Sequence, residues 1–149
     1  MTRSGFLSRL MWIRKMDTDI IPALGEEVKK ANPNIECLVP PYCFIIYHDG
    51  EYKDKDIDIE YCEAVTAFGK DTGGIVFKKV DRIPEAACLY HKGPYGTFGF
   101  SYAYLFKWIE DNNYTPVGPP RESYIDGIWN KKDENDWLTE LQVPVMKKK

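Results

Sequence analysis

Gly118-Pro119-Pro120-Arg121-Glu122-Ser123-Tyr124-Ile125 is the stretch that decides how this chain is read. A double proline launches a short extended run, and in a strand Glu122 and Tyr124, two residues apart, share one face. Val39-Pro40-Pro41-Tyr42-Cys43-Phe44-Ile45-Ile46-Tyr47 has the same build. Setting Pro40-Pro41 on Pro119-Pro120 brings Glu60-Tyr61-Cys62-Glu63-Ala64-Val65 onto Glu140-Leu141-Gln142-Val143-Pro144-Val145 with one residue of slippage. Residues 10–14 likewise fall on 88–92. The intervals predict one unit used twice, over about 7–66 and 74–146.

Working outward, residues 10–14 read as a strand. Asp17 or Thr18 can cap a helix over 18–31, with Ile20, Leu24 and Val28 forming one apolar stripe and Asn32-Pro33-Asn34 ending it. Cys43 to Tyr47 is a strand, His48-Asp49-Gly50 a turn, and residues 56–61 alternate with period two before Ala64-Val65. The second half runs through a strand at 75–79, a strand at 86–91 and the turn Gly93-Pro94-Tyr95-Gly96-Thr97. A helix over 97–112 follows, with Thr97 as its cap and Phe98, Tyr102, Leu105 and Ile109 as its buried stripe. The fold class expected is α+β: two pseudo-symmetric β-α-β-β units with antiparallel strands around a central ligand cleft.

At 149 residues the chain is read as a single domain, long enough to bury roughly 70% of its unfolded surface. A net charge of −3 points to neither nucleic acid nor an anionic membrane, and Lys147-Lys148-Lys149 reads as a solvated tail. Cys37, Cys43, Cys62 and Cys88 are scattered without a C-x-x-C, and only His48 and His91 could join them, so no metal site is expected. Cysteines in apolar company suit a reducing cytoplasm, and arginines interrupt the N-terminus too often for a signal peptide. His48 reads as solvated and His91 as a backbone-bonded strand-end residue. No catalytic triad, phosphate loop or cofactor motif occurs. Aromatic residues make up 14% of the chain, ten of them tyrosines, which offer a flat face to an organic cation and a hydroxyl to orient it.

Taken in order, the two Pro-Pro runs, Phe44-Ile45-Ile46-Tyr47-His48-Asp49, Ile59-Glu60-Tyr61-Cys62, His91-Lys92-Gly93-Pro94-Tyr95 and Thr139-Glu140-Leu141-Gln142-Val143-Pro144-Val145 resemble the GyrI-like (gyrase-inhibitor-like) effector-binding domain. That domain is the ligand-sensing half of many AraC- and MerR-type multidrug regulators and also occurs alone. The resemblance implies a cleft for bulky, flat, often cationic molecules, with aromatic walls and a glutamate. The best match to that glutamate is Glu122, with Tyr124 on its face; Glu140 is the second candidate and Glu60 its echo in the first repeat. Tyr47, Tyr95, Phe98 and Trp137 are the candidate ring walls. The implied partner is a small hydrophobic or cationic ligand, in a homodimer or beside a fused or separate DNA-binding domain. About nine residues before the first strand leave no room for a helix-turn-helix, so direct nucleic-acid binding is not expected.

Two rivals follow from the same resemblance. Some stand-alone relatives are hydrolases that open cyclopropane rings in alkylating natural products, for which Glu122 would position water and Tyr124 assist the leaving group. The family's namesake suggests a gyrase-binding inhibitor protein.

Overall fold

The computed structural model describes residues 2–6, 9–16, 30–35, 43–49, 58–71 and 75–149, with β1 and β2 described as backbone. The strands are β1 (Thr2–Phe6), β2 (Arg9–Met16), β3 (Cys43–Tyr47), β4 (Ile59–Ala64), β5 (Val76–Val80), β6 (Ile83–Lys92), β7 (Tyr114–Pro116), β8 (Arg121–Asp126) and β9 (Leu138–Lys147). One helix, α1 (Phe98–Asp111), is described in full. The expected helix over 18–31 lies almost wholly outside the described residues; its last turn, Lys30 and Ala31, is helical and ends at Asn32.

The chain divides into two compact units, Leu7–Arg82 and Met1–Phe6 with Ile83–Lys149. Within Leu7–Arg82 the strand order is β3-β4-β2-β5, every described pair antiparallel. Phe44, Ile46, Cys62, Ala64 and Val80 form its described core. Phe44 and Ile46 share a face with their cross-strand partners Cys62 and Glu60, so the apolar run of β3 and the alternation of β4 fill one side of the sheet. The strand anticipated at 75–79 is β5; it pairs with β2 and belongs to this unit.

In the other unit the order is β8-β9-β6-β1, again antiparallel, with β7 also on β9. β1 is a strand the sequence did not announce. Helix α1 packs on this sheet through Leu105 and Ile109, four residues apart, against Ala87, Leu141, Val143 and Val145. Each fully buried leucine or isoleucine contributes about 1.5–3 kcal/mol by leaving water. Asn113, in the left-handed region at φ 60°, stops the helix, and its carbonyl accepts from the Lys148 N–H. Thr97 occupies the cap position without making the expected side-chain cap bond. At ψ 4° its hydroxyl is turned back and donates to the Pro94 carbonyl (2.7 Å).

Among the described residues no helix is long and apolar enough to cross a membrane.

Candidate functional site

Strand β8 places Glu122 opposite Leu141 and Tyr124 opposite Thr139. The central strand β9 sets Leu141 opposite Leu89 and Thr139 opposite His91 on its other side. Cross-strand partners share a face, so Glu122 and Tyr124 rise on the side of the sheet that α1 covers. Glu122 is only 4% exposed. Its Oε1 accepts from the Tyr102 hydroxyl at 2.9 Å and its Oε2 from the Tyr124 hydroxyl at 2.7 Å. Two phenol donors compensate part of the desolvation of a carboxylate and fix its plane.

Further rings adjoin the two phenols that hold that carboxylate. Tyr95 lies 5.5 Å from Tyr124, 4.7 Å from Trp137 and 5.4 Å from Phe98, centroid to centroid. Phe98 continues edge-on to Tyr102 at 6.5 Å, and Tyr102 stacks on Phe106 at 6.2 Å. Edge-to-face and tilted contacts of this kind suit the ring quadrupoles.

A small hydrogen-bonded turn presents Tyr95. Gly93 ends β6 at φ 122°, a conformation that favours glycine, and its N–H donates to the Trp137 carbonyl at 2.9 Å. Trp137 is thereby tied beside the turn that carries Tyr95. Below it, buried His91 bonds Ser101 Oγ through Nδ1 (2.7 Å), and Thr97 Oγ1 (3.0 Å) and the Pro94 carbonyl (3.2 Å) through Nε2. Because the Thr97 proton is donated to Pro94, the network closes when Nε2 carries the imidazole proton and Nδ1 accepts from Ser101. His91 holds the turn; Phe98 packs edge-on against its ring at 4.7 Å.

The structure brings Glu122, Tyr124, Tyr95, Phe98 and Trp137 together. Glu140 is paired with Ser123 and Tyr90, which puts it on the opposite face of the same sheet. It is 3% exposed and accepts from Gln142 Nε2 at 2.7 Å. Glu60 lies in the Leu7–Arg82 unit, where His48 Nε2 and Lys78 Nζ (3.3 Å) each bond one of its oxygens. His48, expected to be solvated, is therefore a partner of Glu60: strand pairing at Tyr47↔Ile59 carries it alongside the carboxylate. Tyr47 is in the same unit, on the face of Tyr61 and Cys43 rather than of Glu60. There Tyr61 donates to Glu63 at 3.4 Å. Burial, above all, pushes both the Cys43 thiol and the Tyr61 phenol up; Glu63 adds to both, while the Tyr61 hydrogen bond pulls the thiol partly back.

Tyr102 is the residue that sequence reasoning missed. It was legible as a member of the buried stripe of α1, and only its identity as a tyrosine hinted that the stripe carried a polar end.

The chain matches the family model of the GyrI-like small molecule binding domain over residues 13–146. No curated protein matches it. Among solved structures it is similar to the EcmrR C-terminal domain, at 44% identity and TM-score 0.92, over 99% of this chain and 96% of that one. It is equally similar, at 44% identity and TM-score 0.93, to the EcmrR chain in the cryo-EM structure of the EcmrR-DNA complex in EcmrR-RPo. There it covers 99% of itself and 57% of the relative, so it spans little more than half of that protein. A hydrolase from Listeria innocua matches over 97% of this chain and 91% of its own with TM-score 0.65, but at 13% identity the likeness is one of fold alone. With the family model covering most of its length and a relative at 44% identity, the chain belongs to the GyrI-like small molecule binding domains.

Proposed function

We propose that this domain senses or sequesters bulky aromatic cations, binding them at the ring-walled Glu122 site, as the ligand-reading part of a cytoplasmic transcription regulator. The observation that carries the reading is a buried carboxylate held by two phenols and walled by Tyr95, Tyr124 and Trp137. A cation over a desolvated ring gains about 0.5–2 kcal/mol per contact, and apolar contact adds about 25 cal/mol for each Å² removed from water. Together these suffice for micromolar binding without close shape matching, which suits a site of broad selectivity. That the EcmrR relative is complexed with DNA supports a regulatory role in which another part of the assembly contacts the operator.

In the strand orders β3-β4-β2-β5 and β8-β9-β6-β1, β2, β3 and β4 occupy the same relative places as β6, β8 and β9. They support reading the chain as one β-α-β-β unit used twice.

Binding is favoured over hydrolysis by the direction of the phenolic protons. Both Tyr102 and Tyr124 donate to Glu122, so each phenolic proton is directed at the carboxylate and not at a leaving group. A thermal-shift screen with quaternary ammonium compounds and cationic dyes tests the reading. Bound ligand should raise the melting point by mass action, about 2.7 kcal/mol at a hundredfold excess over Kd. A flat response to every compound defeats it, and ligand consumed in a Glu122-dependent way would favour the hydrolase.

A further inference from the structure

On the Glu122 side of the sheet two polar atoms are buried without a hydrogen-bond partner among the described residues: the indole Nε1 of Trp137 and Oγ1 of Thr139. Trp137 and Thr139 are two residues apart in extended chain at the start of β9, so they share the face that bears Glu122 and Tyr124. Thr139 is fully buried and is the direct cross-strand partner of both Tyr124 and His91. Trp137 is the ring 4.7 Å from Tyr95, so its orphan N–H belongs to the wall of the same site.

A buried donor without an acceptor is costly, and proteins rarely leave one in place without a use. The indole N–H can only donate, and a threonine hydroxyl can donate as well as accept. The one ligand feature that both can serve is an acceptor atom. We propose that the site selects, among aromatic cations, those that also carry a hydrogen-bond acceptor such as a ketone, ester or ether oxygen. The cationic end goes to Glu122, and the acceptor goes to Trp137 Nε1 and Thr139 Oγ1. This rests on the reading that Glu122 receives a cation, and it adds a second, neutral point of recognition. A site that expects a hydrogen bond discriminates more sharply than an apolar pocket, because the analogue lacking the acceptor leaves the orphan groups unpaired.

The test uses the full chain and isothermal titration calorimetry. The probes are the ortho, meta and para isomers of acetylphenyl-trimethylammonium, each beside its isopropylphenyl twin, which has nearly the same shape and charge but no acceptor. At least one acetyl isomer should bind about tenfold more tightly than its twin, the worth of one buried hydrogen bond and its unpaired alternative. Thr139→Val keeps the shape while removing the hydroxyl, and Trp137→Phe keeps an aromatic ring, though a smaller one, while removing the N–H; because the ratio compares two ligands of one shape in the same variant, either should bring it close to one. If every isomer binds no better than its twin while both depend on Glu122, the acceptor proposal falls and the cation site stands. If neither series binds, both fall. A ratio that survives in both variants also overturns the assignment to Trp137 and Thr139.

Discussion

Replacing Glu122 by glutamine separates charge from shape at the site. The variant keeps a carbonyl oxygen to accept from one phenol and an amide N–H₂ that donates to the hydroxyl oxygen of the other, so the links to Tyr102 and Tyr124 persist with one of them reversed. For illustration, a ligand cation can be taken at a separation of about 5 Å from the carboxylate. At an effective dielectric constant near 20, that separation is worth about 3 kcal/mol of Coulomb attraction. Charge-assisted contacts measured by substitution fall at about 1.5–3 kcal/mol, so the two routes to the magnitude agree.

Phenyltrimethylammonium and its neutral isostere tert-butylbenzene differ by that charge and little else. In calorimetric titrations Glu122→Gln should weaken the cation by about 1.5–3 kcal/mol, from roughly tenfold to somewhat over a hundredfold, and leave tert-butylbenzene nearly unchanged. Equal weakening of both would show that Glu122 shapes the site without charging it. Unchanged binding of the cation would remove Glu122 from the site altogether.

Tyr102→Phe deletes one donor to Glu122 and should cost about 1 kcal/mol of stability; in a double-mutant cycle with Glu122→Ala, which removes the acceptor, a coupling energy near zero by urea denaturation would mean the 2.9 Å contact is not energetically real. Leu105→Ala, at a site with no exposed surface between α1 and Leu141, should lower unfolding free energy by about 2–5 kcal/mol; a loss well under 1 kcal/mol would contradict the packing of α1. Alkaline stability should also fall. The folded state keeps Cys43 and Tyr61 protonated to higher pH than the unfolded chain does, because burial opposes their charged forms. Below the ordinary 9.0 of the thiol both states hold their protons and nothing is lost; above 9.0 for Cys43 and 10.0 for Tyr61 the unfolded chain releases protons first, and stability declines until the folded groups titrate. Melting curves taken upward from pH 8 or so should show the decline, and Cys43→Ser with Tyr61→Phe should flatten it; an unchanged slope in the double variant would refute the cause.

Much of the fold was legible because the elements carry their own periodicity. Cys43–Tyr47 gave β3, the alternation over 56–61 caught the first half of β4 (Ile59–Ala64), and the stripe Phe98, Tyr102, Leu105, Ile109 gave α1 almost to its ends. β1 was not legible: Thr2-Arg3-Ser4-Gly5-Phe6 has neither an apolar run nor alternation, and it is a strand because β6 offers it an edge. β7 is three residues ending in proline and exists through β9 in the same way. β5 was found as a strand, but its partner was a matter of tertiary pairing that local sequence does not encode.

The three candidate carboxylates show where local reading stops. Glu122 and Tyr124 stand in one strand, so their shared face followed from spacing alone. Whether Glu140 joins them depends on which residue of β8 it opposes, and a shift of one would exchange the faces. The observed pairing is Glu140 with Ser123, so Leu141 and Thr139 share the Glu122 side while Glu140 points away and meets Gln142. Glu60 has a different environment again. Its oxygens are each held by a basic side chain, so the free energy of its charge goes into an ion pair inside its own unit. At Glu122 two of the holding groups are the phenols of Tyr102 and Tyr124, which bring no charge of their own, so what they fix is the position of the carboxylate beside the Tyr124 ring.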